Sequence, residues 1–281
     1  DIDLAMELDF PSFEAALDQG HTAEALQSDT TFIWFVACQA PGSAFEDIRV
    51  RQGLFHSIDR SLINKAIYGG YGVETTGLWP PGHPNNDPAL DDVYPFDLDR
   101  AAQLFEEAGV SGESLGVWAT KSIPESVDLI LVMNQTTSQA GLSLEPVPSD
   151  DLVGDYLRPA ALEPPPYDLE HQAVLITQSR PGMQKLTRLF TAGAITNPCY
   201  QEYDRATEIM DELFGLAPDD PEAVALWHEI QAINIAEARH MVLQFFPAYA
   251  AWNDSVGGVD TATFGAPIDG GMTFGEMHKV K

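Results

Sequence analysis

The residues that could support covalent or acid–base chemistry are few, and their spacing does not favour it. Asp91-Asp92 and Asp219-Asp220 bring carboxylates together, as glycoside hydrolysis requires. Loop position and a helix-capping role account for both pairs without chemistry. The seven histidines, among them His56, His83, His171, His228 and His240, include no i, i+4 pair and no His-x-His, so no nickel or zinc site is expected. Cys38 and Cys199 lie far from any C-x-x-C spacing, and either two separate thiols or one bridge fits them. The chain has no nucleophile elbow, phosphate loop or dinucleotide fingerprint. It is expected not to be an enzyme and to need neither cofactor nor metal.

Binding is the chemistry left, and charge limits the partners. Lys and Arg number 14 against 43 Asp and Glu, a formal charge of −29, which repels nucleic-acid phosphates and anionic lipid. The surplus reads as a solubilising surface, because carboxylates crowded into one pocket would raise each other's pKa and neutralise. With 281 residues and 44% hydrophobic content the chain can bury a sizeable core. No apolar run approaches the ~20 residues that span a bilayer. The sequence opens at Asp1 without a Met or a basic and apolar leader, so an upstream signal peptide, lipobox or domain is expected to have been removed.

The elements that must position a binding site follow from periodicity. Ile2, Leu4 and Met6 alternate with polar or small residues as in a half-buried strand, and Phe13, Ala16 and Leu17 take helical spacing up to Gly20. Residues 31–36 are β-branched and aromatic, the composition of a strand buried on both faces. From Asp47, Leu54, Ile58, Leu62 and Ala66 recur every fourth residue to Gly69-Gly70, with Asp59 as a restart. Asp97 caps a helix closed by Gly109. Strand 115–120, helix 125–140 with Val127, Ile130, Leu131 and Asn134 on one face, and strand 142–147 make a βαβ unit. A strand at 169–176, a long helix begun by Asp220 and Pro221, and strands at 241–246 and 249–252 complete an α/β reading. The terminal strands are expected to form a body separate from the middle.

Five blocks carry a family resemblance. They are Asp1-Ile2-Asp3-Leu4-Ala5; Phe45-Glu46-Asp47-Ile48-Arg49-Val50-Arg51-Gln52-Gly53 with Ser57-Ile58-Asp59-Arg60 and Gly70-Tyr71-Gly72; Tyr94 to Ala101 ending Glu107-Ala108-Gly109; Gly141 to Glu145; and Leu226 to Gln231. In this order they resemble the family 5 extracellular solute-binding proteins, the dipeptide, oligopeptide and nickel binders that feed ABC importers. The second block is similar to P-F-x-D-x-x-V-R-Q-A … A-I-D-R … G-x-G, departing at Gly53 and Ser57, where the family has Ala. Physically, Val50, Leu54 and Ile58 should face a core, Asp59 should cap, and Arg51 and Arg60 should pair with carboxylates.

The resemblance implies a periplasmic-binding-protein type II-like second lobe plus terminal strands of the first. Residues 1–36 and 245–281 would belong to the first lobe and 37–244 to the ligand-gripping second lobe, with the strands at 31–36 and 241–246 crossing the hinge and the parent's N-terminal half absent. The implied function is a monomeric receptor, extracellular or periplasmic and lipid-anchored in the full-length protein, that passes a small-molecule or peptide solute to an ABC permease. The alternative is the sensor domain of a regulator or chemoreceptor with the same fold.

The stretch from Tyr167 to Pro181 is similar to the family's Y-D-(x)4-G-W-x-x-D-(x)2-D-P, in which the first Asp after the Trp grips a peptide α-ammonium. Here Val174 replaces the Trp, Thr177 the first Asp and Arg180 the second. Losing that counter-charge points to a polar uncharged or anionic solute, since a buried ammonium without a partner is costly. Thr177, Gln178 and Arg180 are the candidate ligand contacts. Arg180 either meets ligand or pairs with a surface carboxylate, and Arg158 either reaches the cleft or ends a solvated helix. Gln39, Tyr200 and Trp252 are candidates by position near the hinge, as is Trp34, for which core packing is the competing fate.

Overall fold

A computed structural model describes residues 3–26, 31–37, 42–120, 125–150, 171–179, 182–191, 194, 203–259 and 278–280. The chain begins with β1 (Leu4–Leu8), α1 (Phe10–Asp18), β2 (Thr22–Leu26) and β3 (Thr31–Ala37). Next come α2 (Ile48–Ser57), α3 (Arg60–Tyr68), β4 (Val73–Glu74) and α4 (Leu98–Ala108). Asp47, Asp59 and Asp97 start these three helices by accepting main-chain N–H bonds from Arg49, Leu62 and Arg100 at 2.8–3.0 Å. Gly69 and Gly109 end α3 and α4 in the left-handed region, with φ of 58° and 77°.

β5 (Ser114–Thr120), α5 (Ser126–Thr137) and β6 (Ser143–Ser149) form the expected βαβ unit, with β5 and β6 parallel in continuous register. β7 (His171–Ser179), α6 (Gly182–Phe190), α7 (Asp204–Leu213) and α8 (Pro221–Ala236) follow, then β8 (His240–Phe245), β9 (Ala248–Trp252), β10 (Val256–Gly257) and β11 (His278–Lys279). β2, α6 and α7 are additional to the elements read from sequence.

Six strands pair in the order β4-β8-β3-β7-β5-β6, and a separate sheet of three has the order β1-β9-β2. The larger sheet is covered on both faces. β8 sends Met241 and Leu243 into a core with Val50, Leu54, Ile58, Phe105 and Ile130, while Val242 and Phe245 enter a second core with Leu186, Phe190, Trp227 and Ile230. Val50, Leu54 and Ile58 are thus buried as their spacing demands.

Two expectations need correction. The inward face of α5 carries Leu129, Ile130, Met133 and Thr137, while Leu131 is 47% exposed. The helix is apolar almost all round, so periodicity cannot select its face. Arg51 and Arg60 turn to carbonyl oxygens where carboxylate partners were expected. Arg51 donates to Phe45, Glu46 and Glu237, and Arg60 to Thr75, Phe55 and Val242, at 2.7–3.5 Å. A guanidinium's fork of donors can satisfy several buried carbonyls at once, so each arginine ties loop or helix ends to the neighbouring strand or helix terminus. Burial lowers the Arg60 pKa to about 10.

Candidate functional site

Strand direction sets where the candidate residues lie. β5 is parallel to both β6 and β7, so these three strands end at one edge of the larger sheet, at Thr120, Ser149 and Ser179. β3 runs antiparallel to β7 and β8 antiparallel to β3, which brings the start of β3 and the end of β8 to that same edge. Those two ends connect to β2 and β9 of the smaller sheet through residues 27–30 and 246–247. Open α/β sheets take ligands outside the carboxyl ends of their parallel strands. Here both connections to the smaller sheet leave from that side.

Thr177 and Gln178 lie near the end of β7, paired with Ile33 and Phe32 of β3. Trp34 is the next residue along β3, opposite Ile176 on one side and Val242 on the other, so the backbone brings Trp34, Thr177 and Gln178 to one strand pair. β7 is paired with β5 only through Val174, leaving its last five residues bonded on the β3 side alone among the described residues. Arg158, Arg180, Gln39 and Tyr200 lie outside the described residues, as do Cys38 and Cys199.

Trp252 goes elsewhere. It ends β9 in the smaller sheet, opposite Leu4 and Thr22, about 13 Å of strand beyond the Ala248 start. There it borders a cavity of about 350 Å³ lined also by Ala5, Ser12, Gln19, His21 and Ala251.

Lys185, which sequence reasoning did not single out, is packed against the last residue of β8. It lies on α6, shortly after β7, and is fully buried. Its Nζ donates to the Leu78 carbonyl at 2.7 Å and stands 5.3 and 5.1 Å from the Trp79 and Phe245 rings, the latter closing β8 at the same edge. Ring quadrupoles and a carbonyl dipole together stabilise the desolvated ammonium. The available signal was its place four residues before Leu189, on the apolar face of an amphipathic run.

Among the described residues, no group of three His, Cys, Asp or Glu side chains is close enough to hold a metal ion. Asp220 caps α8, and Asp91 accepts from Asn86 at 2.9 Å. The arrangement brings the backbone of Thr177 and Gln178, on the part of β7 bonded on the β3 side alone among the described residues, to the same edge as Phe245, against whose ring the buried Lys185 ammonium stands.

Comparison with known proteins identifies the family and the fold. Residues 1–155 match the family described as bacterial extracellular solute-binding proteins, family 5 middle. The chain is 29% identical to the dipeptide-binding protein of Escherichia coli K12 over 113 residues, which is 39% of this chain and 20% of that protein. Among solved structures it superposes with TM-score 0.79 and 17% identity on a dipeptide-binding protein from Pseudoalteromonas sp. SM9913 in complex with Met-Leu, covering 100% of this chain and 54% of the other. It superposes on AgaA from A. tumefaciens R10 in complex with agropinic acid with TM-score 0.73 and 16% identity, covering 92% of this chain and 52% of AgaA. The chain therefore spans about half the length of these solved relatives.

Proposed function

Because the chain belongs to the bacterial extracellular solute-binding proteins of family 5, we propose that it is the solute-gripping part of an ABC-importer receptor. Its larger sheet and covering helices form the second lobe, and the three-stranded sheet is a portion of the first. The solute is held between them at the carboxyl edge and delivered to permease subunits. The receptor works as a monomer outside the cytoplasmic membrane, extracellular or periplasmic, tethered by a lipid upstream of Asp1. It performs no catalysis.

The observation that carries this reading is that both connections between the sheets leave from the edge where β5, β6 and β7 end. A cleft between the bodies then opens where such sheets take ligands. On this reading β3 goes with the second lobe, a grouping supported by its pairing with β7 on one side and β8 on the other.

Thr177, Gln178 and Arg180 contact the solute, with Arg158 as a second cation and Trp34, Gln39 and Tyr200 as flanking candidates; Trp252, at the far end of β9, is not among them. The solute is not a free peptide held by its amino terminus. Stranding a desolvated ammonium without its counter-charge costs about 3–5 kcal/mol, more than a hundredfold in affinity. That AgaA was solved with agropinic acid supports a non-peptide solute on this fold.

The test is calorimetric titration of the full-length protein with a di- to pentapeptide pool, the same pool N-acetylated, and separate pools of oligosaccharides and organic acids. Binding is expected from the last two. Micromolar peptide binding that disappears on N-acetylation would overturn the ligand assignment, and silence from every pool would count against a solute receptor.

A further inference from the structure

β8 starts at the edge of the larger sheet opposite the one where β5, β6 and β7 end, since its first residue, His240, pairs with Val36 near the end of β3. α8 reaches that start through Glu237, Ala238 and Arg239. The helix closes with the Ala238 N–H donating to the Ile235 carbonyl and the Arg239 N–H to the Asn234 carbonyl. Ala238 takes φ 47° in this closure, the only non-glycine among the described residues with a positive φ. Glycine would adopt that backbone freely, so a buried alanine holds the turn under strain. Strain of this kind collects where a binding group must be held in place.

Arg239 is such a group. Its Nε and Nη1 are both buried and, among the described residues, neither has a hydrogen-bond partner. The guanidinium lies over the Tyr203 ring at 4.3 Å, and its one carboxylate contact among the described residues runs from Nη2 to Glu237 at 3.4 Å. Each unpartnered nitrogen forms a donor fork with Nη2, the geometry that takes two oxygens of one oxyanion. Arg51, the second guanidinium at this turn, donates to the main-chain oxygens of Glu237, Phe45 and Glu46. Burial first, and then the neighbouring Arg239 charge, lowers the pKa of both Arg51 and His240. Of the carboxylates beside them, Asp47 is held by Arg49, and the Glu237 side chain is 46% exposed. Positive charge is thus in local excess in a chain whose formal charge is −29.

We propose that Arg239, held by this turn beside Arg51 and over Tyr203, binds a small oxyanion, a carboxylate or a phosphate, which takes the guanidinium over from Glu237. The Glu237 side chain turns out into solvent, and a small rotation of the guanidinium, whose side chain is already 18% exposed, presents a fork to the anion. The site lies at the edge opposite the proposed solute site and stands or falls independently of it.

Calorimetric titration of the 281-residue chain with sodium phosphate and, separately, sodium acetate, at constant ionic strength set by sodium chloride, distinguishes binding from screening. Binding of one anion or both at a single site per chain is expected, and the tighter of the two identifies the class. Glu237→Gln removes the competing carboxylate and keeps the main-chain oxygen that Arg51 uses, so it is expected to tighten binding at least threefold. Arg239→Gln is expected to weaken it at least tenfold, and Arg239→Lys, which keeps the charge and lacks the fork, at least fivefold. Silence from both anions overturns the site, and so does an Arg239→Lys variant that binds like wild type. An unchanged affinity in Glu237→Gln also overturns it, and that substitution, on a half-exposed side chain, decides the matter if the Arg239 variants do not fold.

Discussion

The His240 imidazole is buried with Phe190 edge-on at 5.3 Å and the Tyr203 hydroxyl 3.3 Å from Nε2. Burial, then the neighbouring Arg239 charge, lowers its pKa to about 3, with a main-chain contact at Leu189 acting in the opposite direction. Asn234 fixes the residue by accepting from its N–H and donating to its carbonyl, both at 3.0 Å. In the unfolded chain the imidazole titrates near its ordinary 6.5. Between about pH 6.5 and 3 the unfolded state therefore holds a proton that the folded state refuses, and stability is lost as pH falls through that window. Urea unfolding at pH 7.5 and 5.5 is expected to show wild type losing about 1.4 kcal/mol more than His240→Gln over that step. Equal losses would mean that the buried imidazole does not govern the acid limb.

At the scale of elements, the departure at Gly53 has a packing cause. A Cβ there would stand 2.5 Å from Phe105 Cε1, and that ring is fully buried between α2 and α4. Alanine in mid-helix is favoured over glycine by roughly 0.5–1 kcal/mol, but forcing a methyl group against an immobile ring costs about 1–3 kcal/mol. Gly53→Ala is therefore expected to destabilise, and Phe105→Leu to lose less in the Gly53→Ala background than alone. Additive effects in thermal unfolding would sink this account.

Most of the elements were legible because local chemistry marks them: Asp47, Asp59, Asp97 and Asp220 cap helices as read, and Gly69 and Gly109 close theirs. β2 was not legible because Thr22–Leu26 holds two alanines, a Glu and no aromatic. α6 was obscured by Lys185 on its inner face. The site was legible only as position. Thr177 and Gln178 could be placed on a strand by resemblance, but that the strand ends at the same edge as both connections depends on pairing among β3, β7 and β8, which are far apart in sequence.

For the molecule as a whole, the formal charge of −29 is poorly offset where it matters. Arg51, Arg60 and Lys185 are buried against carbonyl oxygens and so leave the acidic surface largely unneutralised. Arg205 gathers Glu208, Glu212 and Glu229 within 3.2 Å, while Arg49 and Arg239 pair with Asp47 and Glu237. The remaining carboxylates repel one another more in the compact state than in the expanded one. Salt acts on both contributions. The screening length falls from about 10 Å at 0.1 M to about 3 Å at 1 M, which weakens exposed ion pairs and weakens the general repulsion. Exposed pairs contribute little even unscreened, so the repulsion decides the sign. The thermal midpoint is expected to rise by several degrees between about 0.05 and 1 M sodium chloride, each kcal/mol being worth roughly 2–4 °C in a chain of this size. Arg205→Ala should keep that slope, because its pairs oppose it only weakly. A midpoint that falls with salt would show that the local pairs outweigh the general repulsion and that the acidic surface is compensated after all.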